Sequence, residues 1–263
     1  MYYLGIDIGS LSCDAVLIDD KEQILASSVV PTGARNQESI ARVTDDVLRA
    51  AGISEKDIKG IVSTGYGRDR VEGRTSAVTE ITCLAKGIQA LIPKTHILID
   101  IGGQDSKAIR LDDQGRVVDF AMNDKCAAGT GRFLEAMARA LQVDIEELSE
   151  LDRDAEGEVG LSSMCTVFAE SEVVSLIAEG THMKEIAHGL NKAIASRTLS
   201  LVKRLAPKMA NLNVAMSGGV ARNGGVVRAL SAALGAHIIV PPKPDTVGAY
   251  GAALIAKERF RNN

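Results

Sequence analysis

The pattern of apolar and polar positions occurs twice in this chain. Residues 4–20 and residues 97–113 align without a gap at an offset of 93 residues. Each copy contains short apolar runs, separated first by a glycine turn and then by an Asp-Asp turn, which is typical of β-hairpins. The two copies predict three-stranded meanders over about residues 2–30 and 96–122.

Helical periodicity and further short apolar runs fill the rest of the chain. Helices are expected at 38–51, 80–91, 131–141, 171–178, 186–205, 223–234 and 248–260. Buried strands are expected at 58–63, 214–216 and 238–240. A meander followed by alternating strands and helices, twice over, predicts an α/β chain with two lobes. Each lobe is expected to contain a mixed sheet covered by helices.

Composition excludes several classes of protein. The 263 residues are enough for two lobes, and 46% hydrophobic with 24% charged residues is a globular composition. A net charge of −4, no Lys/Arg run and no Trp argue against nucleic-acid binding. No apolar stretch approaches the roughly 20 residues of a membrane span. The N-terminus runs straight into a strand rather than a signal peptide, so we expect a cytoplasmic protein. Its four cysteines are then expected to be free thiols, redox groups or ligands rather than structural disulfides.

An acidic residue ends the first strand of each meander, directly before the glycine turn. These residues are Asp7 and Asp100. Glycine allows backbone N–H groups to approach phosphate oxygens, and carboxylates hold the hydrated Mg²⁺ that screens charge in phosphoryl transfer. The turns therefore predict a phosphate clamp with a metal between the carboxylates. Its other expected residues are Gly9, Ser10, Gly102, Gly103, Gln104 and Asp105.

This duplicated pattern resembles the superfamily of actin, Hsp70 chaperones and sugar kinases. The resemblance implies a duplicated, ribonuclease H-like, two-lobed ATPase fold with mixed five-stranded sheets. It implies that Asp7 and Asp100 are catalytic and bind Mg²⁺ through water. Residues 217–221 look like the adenosine motif, which adds Gly218, Gly219 and Ala221 to the ATP/ADP site. Residues 248–253 look like the second connecting helix, whose small side chains imply close packing between lobes.

The lobes are expected at 1–94 with 246–263 and at 95–245. Hydrolysis is the favoured reaction, because Gln104 and Asp105 follow the second turn where an attacking water could be oriented. Their individual roles stay open. The alternative is an ATP-dependent small-molecule kinase with structural cysteines, although no sugar-binding motif or poised base is evident. A non-enzymatic nucleotide sensor of the chaperone type is a second alternative.

Two of the four cysteines stand directly before small-residue segments that lead into predicted helices. These are Cys126 and Cys165. A helix N-terminus lowers a thiol pKa and stabilises an anionic group, as a cysteinyl iron–sulfur cluster would be. A cubane cluster needs four thiolates, which a twofold dimer would supply from two copies each of Cys126 and Cys165. The competing count uses all four cysteines of one chain. Core packing, a disulfide or a catalytic thiol are the alternatives, whereas Cys13 and Cys83 look like small core residues.

Four longer motifs resemble one family. They are Thr64–Arg68, Asp100–Asp105, Asn123–Phe133 and Cys165–Val173. The chain resembles the activator components of 2-hydroxyacyl-CoA dehydratases, in the BadF/BadG/BcrA/BcrD ATPase family.

This resemblance implies a homodimer with one [4Fe–4S] cluster bridging the subunits, bound by Cys126 and Cys165 of each. It also implies that Gly129 and Gly131 are cofactor-binding residues. Ferredoxin or flavodoxin would donate an electron. ATP hydrolysis would be coupled to passing that electron, at low potential, to a dehydratase or related reductase.

Overall fold

The computed structural model describes residues 1–157, 159–161, 165–206 and 212–261. The chain divides into two compact units. Unit 1 comprises Met1–His96, Leu111–Val118 and Pro241–Asn263, and unit 2 comprises Ile97–Arg110 and Asp119–Val240. The predicted lobes did not assign the turn Leu111–Val118 to the first unit. Among the described residues, no helix is both long and apolar enough to cross a membrane.

Ten strands and eight helices make up the regular structure of the described residues. The first seven elements are β1 (Tyr2–Ile8), β2 (Ser12–Asp19), β3 (Ile24–Pro31), α1 (Asn36–Ala51), β4 (Ile58–Gly65), β5 (Ser76–Ala77) and α2 (Glu80–Leu91). The next six are β6 (Ile97–Ile101), β7 (Ser106–Leu111), β8 (Val117–Asn123), α3 (Gly131–Leu141), α4 (Ile145–Leu151) and α5 (Thr166–Ala178). The last five are α6 (Met183–Leu205), β9 (Val214–Ser217), α7 (Gly224–Leu234), β10 (Ile238–Ile239) and α8 (Val247–Arg261).

The two sheets have the same topology. The first has the order β3-β2-β1-β4-β5, and the second has the order β8-β7-β6-β9-β10. In each, the first strand pairs antiparallel with the second and parallel with the fourth. These mixed five-stranded sheets confirm the duplicated α/β fold that the repeated meander predicts.

The first sheet is buried on both faces. Side chains alternate along a strand, so Tyr3 of β1 joins one apolar cluster with α8, while Leu4 and Ile6 join a second cluster with α1. Helix α1 turns Val43 and Val47 towards that second cluster. The burial of both faces explains why β1 is a nearly continuous apolar run.

Small residues of α8 allow it to approach its neighbours closely. A Cβ atom added at Gly251 would collide with the carbonyl oxygen of Cys83 in α2, and one added at Gly5 of β1 would collide with the carbonyl oxygen of Ala249. Gly60 of β4 faces the same helix. The sequence implied such packing between lobes, but these contacts all lie within unit 1.

Four elements differ from the sequence prediction by more than two residues. One is α6, which begins at Met183 rather than at 186. Helix α5 begins at Thr166 rather than at 171, because the exposed Val167 and Phe168 break the amphipathic period of its first turn. Helix α4 and strand β5 were not predicted, since seven and two residues are too short to show a periodicity. Residues 162–164, which directly precede Cys165, lie outside the described residues.

Candidate functional site

Asp7 lies near the end of β1 in a space made by two glycines. It stands in register with Asp14 of β2 and Thr64 of β4, and it is only 8% exposed. A Cβ atom added at Gly65 or at Gly248 would collide with the Asp7 carboxylate. Gly65 also has φ +83°, a conformation that glycine adopts without strain. These glycines leave the room that the buried carboxylate occupies.

The two turns with a predicted phosphate-binding role, hereafter the phosphate turns, are closed by equivalent hydrogen bonds. The amide of Gly9 donates to the carbonyl of Ser12 at 2.9 Å, and the amide of Gly102 donates to the carbonyl of Asp105 at 3.0 Å. The duplication therefore extends to individual backbone bonds. Because these two amides are used inside the turns, a phosphate would be bound by amides at the turn tips, residues 10–11 and 103–104.

Thr32 fixes the first turn from the end of β3. Its hydroxyl donates to the carbonyl of Gly9 at 2.9 Å, and its amide donates to the carbonyl of Leu11, also at 2.9 Å. Ser10, at the tip, is half-buried. Both bonds use carbonyl oxygens, so Thr32 holds the turn without occupying the amides at its tip, as a preorganised anion site requires.

Buried charges surround Asp100 in the second hairpin. Ser217 donates to one Asp100 carboxylate oxygen at 2.6 Å, and the ammonium of Lys107 lies 3.5 Å from the other. Lys107 also forms a 2.8 Å ion pair with Asp105 and is itself fully buried. The carboxylate of Asp105 is thus held inside the hairpin, whereas Gln104 is exposed. Of the two predicted water-orienting residues, Gln104 faces solvent.

The predicted adenosine motif forms a tight turn after β9. Gly218 has φ +84°, and a Cβ atom there would collide with the backbone of Ile101. A short 3-10 turn follows at Gly219–Arg222, in which Ala221 is buried. The Asn223 side chain then accepts a hydrogen bond from Val226 and caps α7. Small residues thus bring this turn against the end of the strand that carries Asp100.

The N-terminus of α3 is bound to the second phosphate turn. The amides of Gly131 and Arg132 each donate at 2.9 Å, to the carbonyls of Gly102 and Gly103 respectively. These first-turn donors are therefore not available to Cys126, which lies five residues before α3 begins. Two of the first-turn donors of α3 are thus satisfied by the second turn. That the N-termini of α3 and α5 face a cluster stays a prediction.

Cys165 is the N-cap residue of α5 and has an extended backbone. Two side chains of the first turn of α5 form an exposed apolar surface: Val167 is 68% and Phe168 70% exposed. Gly129, with φ +88°, turns the chain between Cys126 and α3. The two cysteine segments thus belong to helices α3 and α5, which pack against each other.

The four cysteines fall into two classes. Cys126 and Cys165 are half-buried, while Cys13 and Cys83 are fully buried. Burial raises the pKa of the Cys13 and Cys83 thiols to about 12, so both stay protonated at neutral pH. Among the described residues, no group of three potential metal-ligating side chains occurs. Cys126 and Cys165 would supply two of the four thiolates that a cubane cluster needs.

Comparison with known proteins identifies the family. The sequence model of the BadF/BadG/BcrA/BcrD ATPase family matches residues 4–256. This chain belongs to that family. It is 47% identical to the activator of lactoyl-CoA dehydratase from Anaerotignum propionicum, over 98% of both chains. It is 41% identical to the (R)-2-hydroxyglutaryl-CoA dehydratase activating ATPase from Acidaminococcus fermentans, again over 98% of both.

A solved structure from Clostridium difficile has the same fold. It is the activator of the 2-hydroxyisocaproyl-CoA dehydratase with bound ADPNP, and it matches this chain with a TM-score of 0.93 at 43% identity. The match covers 100% of this chain and 96% of that one. The BadF/BadG/BcrA/BcrD ATPase chain described here therefore has the two-sheet, actin-like ATPase fold.

Sequence reasoning did not find three buried polar residues of this ATPase. Lys107 and Ser217 hold Asp100, and Thr130 bonds the second turn to the Cys126 segment. The repeat contained a signal for Lys107, because in the alignment of the two copies it occupies the position of Asp14. The other two lie inside recognised motifs, but their partners are distant in sequence and only the fold brings them together.

Proposed function

We propose that this chain is the ATP-hydrolysing activator of a 2-hydroxyacyl-CoA dehydratase or a related reductase. It would act as a homodimer that delivers a low-potential electron to that partner. Relatives with activator names, at 41% and 47% identity over nearly the full length, support this proposal. The observation that carries it is the backbone connection from the second phosphate turn to the segment that contains Cys126.

The nucleotide part of the proposal assigns roles to the two hairpins. Asp7 and Asp100 would hold hydrated Mg²⁺, and the amides at the two turn tips would bind the phosphates of ATP. Gln104 would orient the attacking water, since its side chain is exposed at the second tip. Asp100 is buried and hydrogen-bonded, which supports a carboxylate held in a fixed position. Phosphoryl transfer depends on such fixed positioning.

The electron-transfer part assigns Cys126 and Cys165 of two copies to a shared [4Fe–4S] cluster. Such a cluster would supply a one-electron carrier whose potential depends on charge and exposure around it. The half-buried state of these two thiols, against the full burial of Cys13 and Cys83, supports the choice of ligands. The exposed Phe168 beside Cys165 supports a protein contact there, because an exposed aromatic side chain is costly in water.

Ferredoxin or flavodoxin would reduce the activator before it meets the dehydratase. Anaerobic purification with iron and acid-labile sulfide analysis, ATPase assay and reconstitution with a 2-hydroxyacyl-CoA dehydratase test the proposal together. We expect brown protein with about two iron atoms per chain, ATP hydrolysis, and dehydration that needs ATP and an electron donor. Iron-free monomer that transfers phosphate to a sugar would instead support the kinase alternative.

A further inference from the structure

The buried hydroxyl of Thr130 joins the phosphate turn to the Cys126 segment. Its oxygen lies 2.9 Å from the carbonyl oxygen of Gly103 and 2.6 Å from that of Ala127, the residue after Cys126. The Thr130 amide also donates to the Ala127 carbonyl, at 3.0 Å. Thr130 has no solvent exposure. One side chain therefore contacts both the predicted phosphate turn and the backbone that carries a predicted cluster ligand.

A threonine hydroxyl has a single proton, although two carbonyls lie within its reach. The proton is either shared or given to one of them, and the share depends on where each carbonyl lies. A phosphate bound at the turn tip would act on the Gly103 peptide. Any shift of the Gly103 carbonyl therefore changes the strength of the hydrogen bond from Thr130 to the Ala127 carbonyl. The mobility of the neighbouring Cys126 changes with it.

We propose that Thr130 is a positioning residue that transmits the nucleotide state from the Gly102-Gly103 turn to Cys126. The amides of Gly131 and Arg132 keep α3 bound to that turn, so the helix start follows the turn while the Thr130 hydroxyl adjusts the Cys126 segment. This inference rests on the proposed function, because it assumes that ATP binds at the turn and that Cys126 is a cluster ligand.

The reactivity of Cys126 in cluster-free protein provides a direct test. Its alkylation rate by iodoacetamide is measured by peptide mass spectrometry, with Mg-ADP and with a non-hydrolysable Mg-ATP analogue. For the wild type we expect the two rates to differ at least about fivefold, the lower end of usual coupling between sites. The ratio should fall to about one in Thr130→Val, which keeps the shape and loses the hydroxyl. Thr130→Ser should keep the wild-type ratio.

Thr198→Val is the matched control. Thr198 is also buried in unit 2, and its hydroxyl donates to the carbonyl of Ile194 within one helix. We expect this variant to keep the wild-type ratio, provided that calorimetry confirms nucleotide binding. Thr130→Ala replaces the valine variant if that protein does not fold.

The outcomes separate this inference from the proposed function. An active wild-type activator with equal rates in both nucleotides, or a Thr130→Val protein with the wild-type ratio, would overturn the role of Thr130 alone. A wild type that neither binds ATP nor activates a dehydratase would overturn the proposed function itself. In holo-protein, the nucleotide-dependent change in cluster potential should be lost in the same variant that loses the alkylation ratio.

Discussion

At the scale of single residues, the two hairpins are alike in backbone and unlike in charge. Asp7 pairs in register with Asp14, whereas Asp100 pairs with Lys107. The second hairpin therefore has an internal cation next to its carboxylate. A hydrated Mg²⁺ would experience a more negative field from the Asp7 pair than from the Asp100 pair. Lys107 also pairs with Asp105, whose carboxylate is buried in the same hairpin.

Replacing Lys107 should damage both stability and catalysis. Lys107→Met leaves Asp100 and Asp105 buried with their cation removed, which typically costs about 3 kcal/mol of unfolding free energy. We also expect kcat for ATP hydrolysis to fall by about tenfold or more, because Asp100 loses a fixed partner. Urea unfolding and steady-state ATPase assays measure the two effects.

The control for this variant is Lys86→Met. Lys86 pairs with Glu258 at the surface, so its loss should change the unfolding free energy by less than about 1 kcal/mol. If Lys107→Met unfolded and hydrolysed ATP like this control, the ion pair would have neither role.

The cysteines should separate in a labelling experiment on cluster-free protein. In folded protein at pH 8, we expect alkylation of Cys126 and Cys165 and protection of Cys13 and Cys83, whose burial keeps them protonated. All four should react in denaturant. Mass spectrometry of the labelled peptides identifies the sites. Rapid labelling of Cys13 or Cys83 in the folded state would contradict their core placement.

Alkaline pH should weaken the fold through the same two thiols. Their pKa is about 12 in the folded protein and about 8.5 in an unfolded chain. Between these values the folded state binds more protons than the unfolded state, so the unfolding free energy falls as pH rises.

By pH 10 the loss should reach roughly 2 kcal/mol for each thiol relative to neutral pH. Urea unfolding at pH 8 and pH 10 measures how steeply the unfolding free energy falls with pH. The wild type is compared with the double variant Cys13→Ala/Cys83→Ala, in which the fall should be smaller. Equal slopes in the two proteins would show that these thiols are not buried as described.

At the scale of elements, the sequence predicted the strands of the repeated meanders and the helices with a clear apolar periodicity. The paired meanders and α1, α2, α3 and α6 follow directly from apolar spacing and turn residues. The start of α5 does not, because Val167 and Phe168 are apolar and yet exposed. The bonding of α3 to the second turn was also not predictable, since it joins Gly131 to Gly102 and Arg132 to Gly103 through backbone atoms, which have no sequence signal.

The crossing of α2 and α8 should tolerate no side chain at Gly251. In Gly251→Ala, the new methyl group would collide with the backbone of α2 at Cys83, and the helices must separate. We expect the unfolding free energy to fall by about 2 kcal/mol or more, as overpacking in a close core typically does. Gly160→Ala is the control, because a Cβ atom there meets no described residue within 4 Å. Equal stability of the two variants in urea would contradict the packing described for α8.

At the scale of the whole molecule, both proposed chemistries meet in unit 2. Asp100 lies near the end of its strand β6, and its helices α3 and α5 follow the two half-buried cysteines in the sequence. Unit 1 contributes Asp7 and no candidate cluster ligand, because its own cysteines are buried. Sequence predicted these assignments residue by residue, but not that the second phosphate turn and the start of α3 are one hydrogen-bonded unit.

Variants in the two units should therefore separate the two activities. Asp7→Asn should keep about two iron atoms per chain and the dimer, while kcat for ATP hydrolysis falls by about a hundredfold or more, since a carboxylate for hydrated Mg²⁺ is lost. Cys165→Ser should show the opposite result: no iron and a monomer in size-exclusion chromatography, with ATP affinity within about threefold of the wild type. Cys83→Ser is the control, because a buried core thiol should affect neither iron content nor the dimer.

If Cys165→Ser retained its iron, or if Cys83→Ser lost it, the shared cluster would have other ligands. The dimer would then need an interface that does not depend on the cluster.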